Sequence, residues 1–228
     1  SDYALPSENV TVIECDNTRL ALALMSAAYY GNPDKELFTI GITGTKGKTT
    51  TTYMIKNVLC ACGIKTGLIG TIETVIGDEA IPSCNTTPES IQIHETFRKM
   101  VDAGCKAVVM EVSSQGLKLD RTAGIMFDIG VFTNLEPDHI GPNEHASFEE
   151  YLECKAKLFT QCKTGIVNAD DKHTKDILKG AICKVESYGV SETADIRATD
   201  VKLLHEPGKI GLTYKCQGLI DMDVALSL

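Results

Sequence analysis

The sequence predicts an α/β protein: a P-loop domain whose mostly parallel sheet is flanked by helices, with a small β-rich C-terminal part and the remnant of an N-terminal domain. Three observations carry this. From residue 37 to about 190, short β-prone runs alternate with stretches of helical spacing, the pattern of parallel strands joined by covering helices. At one strand–helix junction lies a glycine-rich run, Gly41-Ile-Thr-Gly-Thr-Lys-Gly-Lys-Thr-Thr-Thr-Thr52. After residue 190 helical periodicity stops, and short strands with glycine-containing turns follow.

Taken in order, residues 1–36 read as the tail of a preceding domain, with an Ala/Leu-rich helix from Arg19 to Tyr30 stopped by Gly31-Asn32-Pro33. Strands are expected at 37–42, 67–75, 106–112, 127–133, 164–168 and 182–188. Helices are expected at about 48–61, 88–102, 147–161 and 171–178. Thr87 followed by Pro88 predicts a capped start for the second of these, and Ser147-Phe-Glu-Glu150 is a capping box for the third. The chain stops in strand-like sequence, Asp221 to Leu228, without a closing helix, so 37–228 reads as an incomplete central domain.

Bulk properties narrow the class. Of 228 residues, 43% are hydrophobic and 23% charged, which is ordinary for a globular protein. The net charge of −9 argues against a nucleic-acid partner, because a phosphate backbone wants a basic face. No apolar run approaches the roughly 18–20 residues of a membrane span, and no basic-then-apolar leader is present. Nine scattered cysteines without disulfide-like spacing predict reduced, mostly buried thiols in a cytoplasmic protein. Charge and composition are consistent with a monomer.

The glycine loop has the context a phosphate site needs. Leu37-Phe-Thr-Ile40 precedes it as a strand and Tyr53 to Leu59 follows with helical spacing. The full Walker pattern fails at its first position, where Ile42 stands, but the shorter Gly44-x-x-Gly47-Lys48-Thr49 is met. Loop amides and the helix N-terminus would face an anion, Lys48 would reach the outer phosphates, and a threonine hydroxyl would ligate Mg²⁺.

Ligands of parallel sheets sit beyond the carboxyl ends of strands. There the sequence puts Glu111 and Ser113 after one strand, Asn134, Asp138 and His139 after another, and Asn168 to Asp171 after a third. Thr49 and Glu111 supply the hard oxygens that Mg²⁺ prefers. On the helix after Ser147, Phe148, Tyr151, Leu152 and Phe159 form an apolar stripe with Lys155 in its middle and Lys157 opposite. An inward lysine tends to lose its charge, and a neutral amine can take up CO₂ as a carbamate, an anion suited to Mg²⁺. On periodicity alone a snorkelling lysine is an equal reading.

The ordered set Gly44-Thr-Lys-Gly-Lys-Thr-Thr50, Asn85-Thr-Thr-Pro88, Glu111-Val-Ser-Ser114, Thr133-Asn-Leu135, Asp138-His139, Lys155 and Asn168-Ala-Asp-Asp171 resembles the Mur ligases, most of all their E-type branch. The resemblance covers about residues 10–228. It implies an ATP-dependent amide ligase of peptidoglycan precursor synthesis. In that chemistry a muropeptide carboxylate takes the γ-phosphoryl group of ATP, and a free amino acid attacks the acyl phosphate. By position, the resemblance implies that Gly44, Thr45, Lys46, Gly47, Lys48, Thr49 and Thr50 cradle the nucleotide, with Asn168 near the adenine. Thr49 and Glu111 would bind one Mg²⁺, and His139 with a carbamylated Lys155 a second. Asn85, Thr86, Thr87, Ser113 and Arg121 would contact a UDP-muramoyl dipeptide. The chain departs from the family pattern at Leu119, where glutamine is usual, at Ile140-Gly141-Pro142 after His139, and at Lys46, where asparagine is commoner. The family has three domains, so residues 1–36 would be the tail of the first and the third, which chooses the amino acid, would be absent. Such a piece is expected not to turn over alone.

Three other readings stand beside this one. A relative acting on folate-glutamate or another peptide carboxylate shares the nucleotide loop, but the Asn85 and Glu111 motifs favour the muropeptide branch. A P-loop kinase or GTPase is a different enzyme class; a GTPase should show an Asn-Lys-x-Asp motif, and the sequence has none. A nucleotide-binding regulatory domain that has lost catalysis fits poorly with Lys48, Glu111, His139 and Lys155 retained together.

Overall fold

The computed structural model describes residues 11–138, 140–141, 144–206 and 209–227. Eleven strands form one sheet: β1 (Phe38–Thr43), β2 (Thr66–Ile69), β3 (Glu73–Ile76), β4 (Glu79–Pro82), β5 (Ala107–Glu111), β6 (Phe127–Phe132), β7 (Cys162–Asn168), β8 (Lys184–Gly189), β9 (Ile196–Glu206), β10 (Lys209–Gly218) and β11 (Met222–Ser227). Their spatial order is β11-β10-β9-β8-β7-β6-β1-β5-β2-β3-β4. The run from β2 through β5, β1, β6, β7 and β8 to β9 is parallel, and hairpins are added at both edges. The order reverses at β1, which pairs with β5 on one side and β6 on the other. In doubly wound sheets that is where ligands bind.

Among the described residues six α-helices accompany the sheet: α1 (Thr18–Tyr29), α2 (Lys48–Ala61), α3 (Ser90–Asp102), α4 (Ser114–Lys118), α5 (Phe148–Ala156) and α6 (Thr174–Ile177). The main core joins Phe97 and Met100 of α3 and Tyr151 of α5 to Val108, Phe127 and Phe132 of the sheet. A smaller cluster, Ile40, Ile42, Val109 and Val131, packs under Ile55 and Leu59 of α2. Residues of β5 and β6 thus enter both cores, which explains why the interior of β5 reads as an unbroken apolar run. Helix α1 rests on α3 with Ala23, Ser26 and Ala27 buried.

The expected alternation is present, with differences at element ends. The single strand expected at 67–75 is two, β2 and β3, paired antiparallel. The chain turns at Gly70 because a Cβ there would come within 2.7 Å of the Glu111 carboxylate, while the next residue bonds that carboxylate. Helix α3 is capped by Glu89 rather than Thr87, with the Glu89 N–H donating to Gln92 Oε1 at 3.3 Å. Thr87 is unavailable as a cap because its hydroxyl bonds Glu111 O and Ser113 N, each at 2.9 Å. The helix expected over 147–161 is α5 followed by a 3₁₀ turn, Lys157–Thr160. Past residue 190 the strands are long, up to 11 residues, rather than short. All nine cysteines are free, but only Cys105, Cys154 and Cys162 are buried; Cys15, Cys60, Cys62 and Cys84 are exposed, at surface positions that the linear pattern did not separate from core ones. Among the described residues no helix is long and apolar enough to cross a membrane.

Candidate functional site

The loop after β1 is built around two glycines. Gly44 has φ +152°, and a Cβ on it would lie 1.9 Å from Thr133 Oγ1. Gly47 is the N-cap of α2 with φ +81°, and no side chain caps the helix. The first N–H groups of a helix lack intrahelical partners, so this uncapped end of a 14-residue helix is suited to an anion. The amides of Thr45 and Lys46 donate to Asn134 O and Asn134 Oδ1, both at 2.9 Å, which pins the loop to the end of β6. The uncapped first turn, Gly47 to Thr50, is the candidate cradle.

Side chains of the loop divide in the same way. Thr45 is buried beneath it, bonding Tyr151 OH at 3.1 Å and accepting from the Glu136 N–H at 3.0 Å. Lys46 points outward to Glu136. Lys48 folds back over the loop, its Nζ donating to Gly44 O at 2.9 Å and Thr45 O at 3.1 Å. Burial lowers its pKa from the usual lysine value, an effect opposed by the charges of Glu111 and Asp138. Thr49 is half-buried in the first turn of α2 and Thr50 is exposed.

Lys155 is 1% exposed, as its place in the apolar stripe predicted, whereas Lys157 faces solvent. Its Nζ donates to Gly44 O at 2.9 Å, the same carbonyl that Lys48 uses, and sits 4.5 Å from the centre of the Tyr151 ring. Burial first, and then repulsion from Lys48, hold its pKa well below the ordinary lysine value. Two lysines thus converge beneath one glycine, and burial together with the charge of Lys48 favours the neutral form of the inner one. The snorkelling alternative is excluded by the burial of the whole side chain.

Glu111, also 1% exposed, ends β5 in register with Ile42. Its carboxylate accepts from Thr71 N at 2.9 Å and Thr71 Oγ1 at 3.1 Å. Among the described residues no three His, Cys, Asp or Glu side chains form a ready metal cluster. The donors present, a threonine hydroxyl and a carboxylate, are hard oxygens of the kind Mg²⁺ takes together with phosphates and water, so they fit that ion. His139 lies outside the described residues.

Beside Lys48 opens a cavity of about 340 Å³ lined by Asn85, Thr86, Thr87, Ser113, Arg121 and other residues. All five expected acceptor-site residues meet there. Thr86 Oγ1 bonds Thr71 Oγ1, and Ser113 caps α4 through Gly116 N. Arg121 is held by Thr87 O at 2.9 Å and Glu89 at 2.7 Å. The sequence reading missed Gln115, Glu144 and His145, which line the same cavity. Glu144 and His145 lie more than 20 residues from the other lining segments, so no local spacing marks them. Asn168 stands at the end of β7, but its amide is engaged by Thr133 O and Asp170 N. A larger hollow, about 760 Å³, lies on the outer side of α5 among Phe148, Leu152 and His173 and reaches none of these groups.

Residues 42–227 match the family model of the Mur ligase middle domain. The chain belongs to the Mur ligase family. Over 200 residues it is 46% identical to a UDP-N-acetylmuramoyl-L-alanyl-D-glutamate–2,6-diaminopimelate ligase of Clostridium perfringens, covering 86% of this chain and 41% of that protein. A ligase of the same name from Clostridium tetani is 44% identical over 208 residues, covering 91% and 42%. A solved structure of a ligase of that name superposes with a TM-score of 0.84 at 27% identity, over 97% of this chain and 46% of the other. A folylpolyglutamate synthase of Mycobacterium tuberculosis shares the fold, with a TM-score of 0.68 at 16% identity over 90% and 53%. The chain spans about two fifths of the length of the curated relatives it matches.

Proposed function

We propose that this Mur ligase chain carries the ATP and acceptor sites of an enzyme that adds an amino acid to UDP-MurNAc-L-Ala-D-Glu. The observation that carries the reading is the convergence of Lys48 and Lys155 on Gly44 O, next to a cavity that Lys48 itself lines. One lysine therefore borders both the phosphate cradle and the acceptor pocket, where a γ-phosphoryl group and a carboxylate have to meet. The names of the 44–46% identical relatives favour the muropeptide over the folate substrate, since the likeness to the folate enzyme is one of fold.

In this reading the N–H groups of Gly47 to Thr50 receive the phosphates. Lys48 leaves the Gly44 and Thr45 carbonyls to bind the β/γ oxygens and stabilise charge during transfer. Mg²⁺, when bound, neutralises phosphate charge; Thr49 and Glu111 would hold one ion, and His139 with carbamylated Lys155 another. The neutral Nζ of Lys155 supplies the lone pair that forms the N–C bond to CO₂, and its proton departs to solvent, leaving an anion facing Lys48. Arg121 and Ser113 grip the acceptor, whose carboxylate oxygen attacks the γ-phosphorus with ADP leaving. The amine of the incoming amino acid then attacks the acyl carbon, and phosphate departs with the bonding electrons. Residues 1–36 are assigned to the tail of a uridine-side domain and 37–228 to the ATP-binding domain, with the amino acid chosen by parts that this stretch of the relatives does not include. A soluble, nucleotide-linked acceptor places the reaction in the cytoplasm.

The test is ATP-dependent phosphate release by the complete gene product, with UDP-MurNAc-L-Ala-D-Glu and one amino acid at a time, meso-diaminopimelate and lysine first. Release that needs both the muropeptide and one amino acid is expected. Release indifferent to the muropeptide would overturn the reading.

A further inference from the structure

Two elements carry the two halves of this site. The β5–α4 segment forms the wall of the acceptor cavity, and α5 carries Lys155. One buried histidine joins them. His145 is 1% exposed, and its Nε2 lies 2.9 Å from the hydroxyl of Ser114, the first residue of α4. Both residues line the cavity that Lys48 and Arg121 share. The main-chain carbonyl of His145 accepts the Gly141 N–H at 3.1 Å. Its ring packs 5.1 Å from that of Tyr151, the residue bonded to Thr45 under the phosphate loop. Two partly buried contacts run parallel to the buried one: Lys118 to Glu150 at 2.9 Å, and Lys157 Nζ to Leu117 O at 3.3 Å. Solvent weakens such contacts. The Ser114–His145 bond is buried, and in a buried place a polar pair fixes one arrangement while a broken one leaves a costly orphan.

We propose that His145 is a positioning residue for the acceptor. Through Ser114 it sets the wall formed by Ser113, Ser114 and Gln115 relative to α5, so that the acceptor carboxylate arrives at the Lys48 end of the cavity in one orientation. The inference rests on the ligase reading given above. Nothing in the bond touches the Gly47–Thr50 cradle, so nucleotide binding does not depend on it.

The experiment uses the complete gene product, with calorimetric binding of UDP-MurNAc-L-Ala-D-Glu alongside turnover. His145→Phe keeps a ring against Tyr151 and removes the hydrogen bond. His145→Gln restores an amide close to the position of Nε2, able to donate to or accept from the Ser114 hydroxyl. His145→Phe is expected to raise the acceptor KM and Kd about tenfold, leaving the ATP KM within about twofold, and His145→Gln to recover most of the loss. Ser114→Ala removes the same bond but leaves the 3.8 Å contact of His145 Nδ1 with Glu150, so it should reproduce most of the rise in acceptor KM, and the double variant should add little beyond His145→Phe. An unchanged acceptor KM in His145→Phe overturns the proposal. So does a rise in both KM values with a lowered Tm, which marks a packing role only. A wild-type protein that does not bind the muropeptide overturns the ligase reading and this inference together, whereas normal wild-type binding with unaltered variants overturns the positioning role alone.

Discussion

The centre of the sheet and its β9–β11 edge are made of the same kind of residues and behave differently. Every residue of β5 is buried, and so is β1 after Phe38. In the edge ribbon Val201, Leu203, Ile210 and Met222 are exposed. Connection chemistry makes the difference. Parallel neighbours need crossovers, and helices supply a cover for each face. Antiparallel neighbours are joined by tight turns, and the ribbon has no helix of its own among the described residues. The chemistry follows the cover. Lys155 can lose its charge and Glu111 can be held by Thr71 only where water is excluded, and the reversal of strand order at β1 places both beside the glycine loop.

Substitutions can break this contrast. The largest effect is expected at Lys155. In the complete gene product Lys155→Ala should lower turnover by about a thousandfold or more, in line with removal of a group that stabilises transferring charge. Added short carboxylates should restore part of the loss, and mass spectrometry of the gently handled wild-type protein should show one CO₂ on that lysine. An alanine variant with full activity would remove the carbamate from the mechanism.

Next is Gly44→Ala. Its Cβ would collide with Thr133 Oγ1 and press on the Asn134 backbone at 3.2 Å, from a backbone angle that favours glycine. A loss of roughly 3 kcal/mol in urea unfolding and of measurable nucleotide binding is expected. Retained ATP affinity would show that the loop has room the geometry denies it. Phe127→Ala in the main core should cost about 3–5 kcal/mol.

His94 offers a milder probe. It is fully buried on α3 with neither ring nitrogen hydrogen-bonded, and burial holds its pKa below the usual 6.5, opposed by the charge of Asp34. The folded state keeps it neutral while the unfolded chain takes up a proton as pH falls below about 6.5. Its contribution is therefore present above that pH and lost below it, with a slope of at most about 1.4 kcal/mol per pH unit. His94→Leu should flatten the stability profile between pH 7 and the folded-state pKa. An unchanged profile would assign the slope to other groups. At the far end of the scale, Val201→Thr in the exposed ribbon should change stability by no more than about 0.5 kcal/mol and leave nucleotide binding unaltered.

Much of the central region was legible before any coordinates. Helix α2 starts and ends where the spacing put it, because a glycine N-cap and an uninterrupted helical pattern are local signals. The place of Lys155 on the apolar stripe was legible for the same reason, but periodicity left a snorkelling side chain an equal reading, and only the burial of the whole side chain decided between them. The turn at Gly70 was not, since its cause is a carboxylate 41 residues away. The true cap of α3 was hidden too. Thr87 has the chemistry of a cap, and only the approach of Glu111 and Ser113 diverts it.

The sequence by itself determined the alternation of strands and helices, the phosphate-type loop, the place of Lys155 on the apolar stripe and the order of motifs that marks the family. Each of these is written in neighbouring residues, through spacing, propensity and turn chemistry. Tertiary structure alone decided that Lys48 and Lys155 share one carbonyl oxygen, that the amides of Thr45 and Lys46 belong to Asn134, and that His145 closes on Ser114. Apart from the local bond of Lys48 to Gly44, those choices join residues 31 to 111 positions apart. They exist only because the crossovers bring the ends of β1, β5 and β6 to one side of the sheet, and a contact made by folding leaves no periodic trace along the chain.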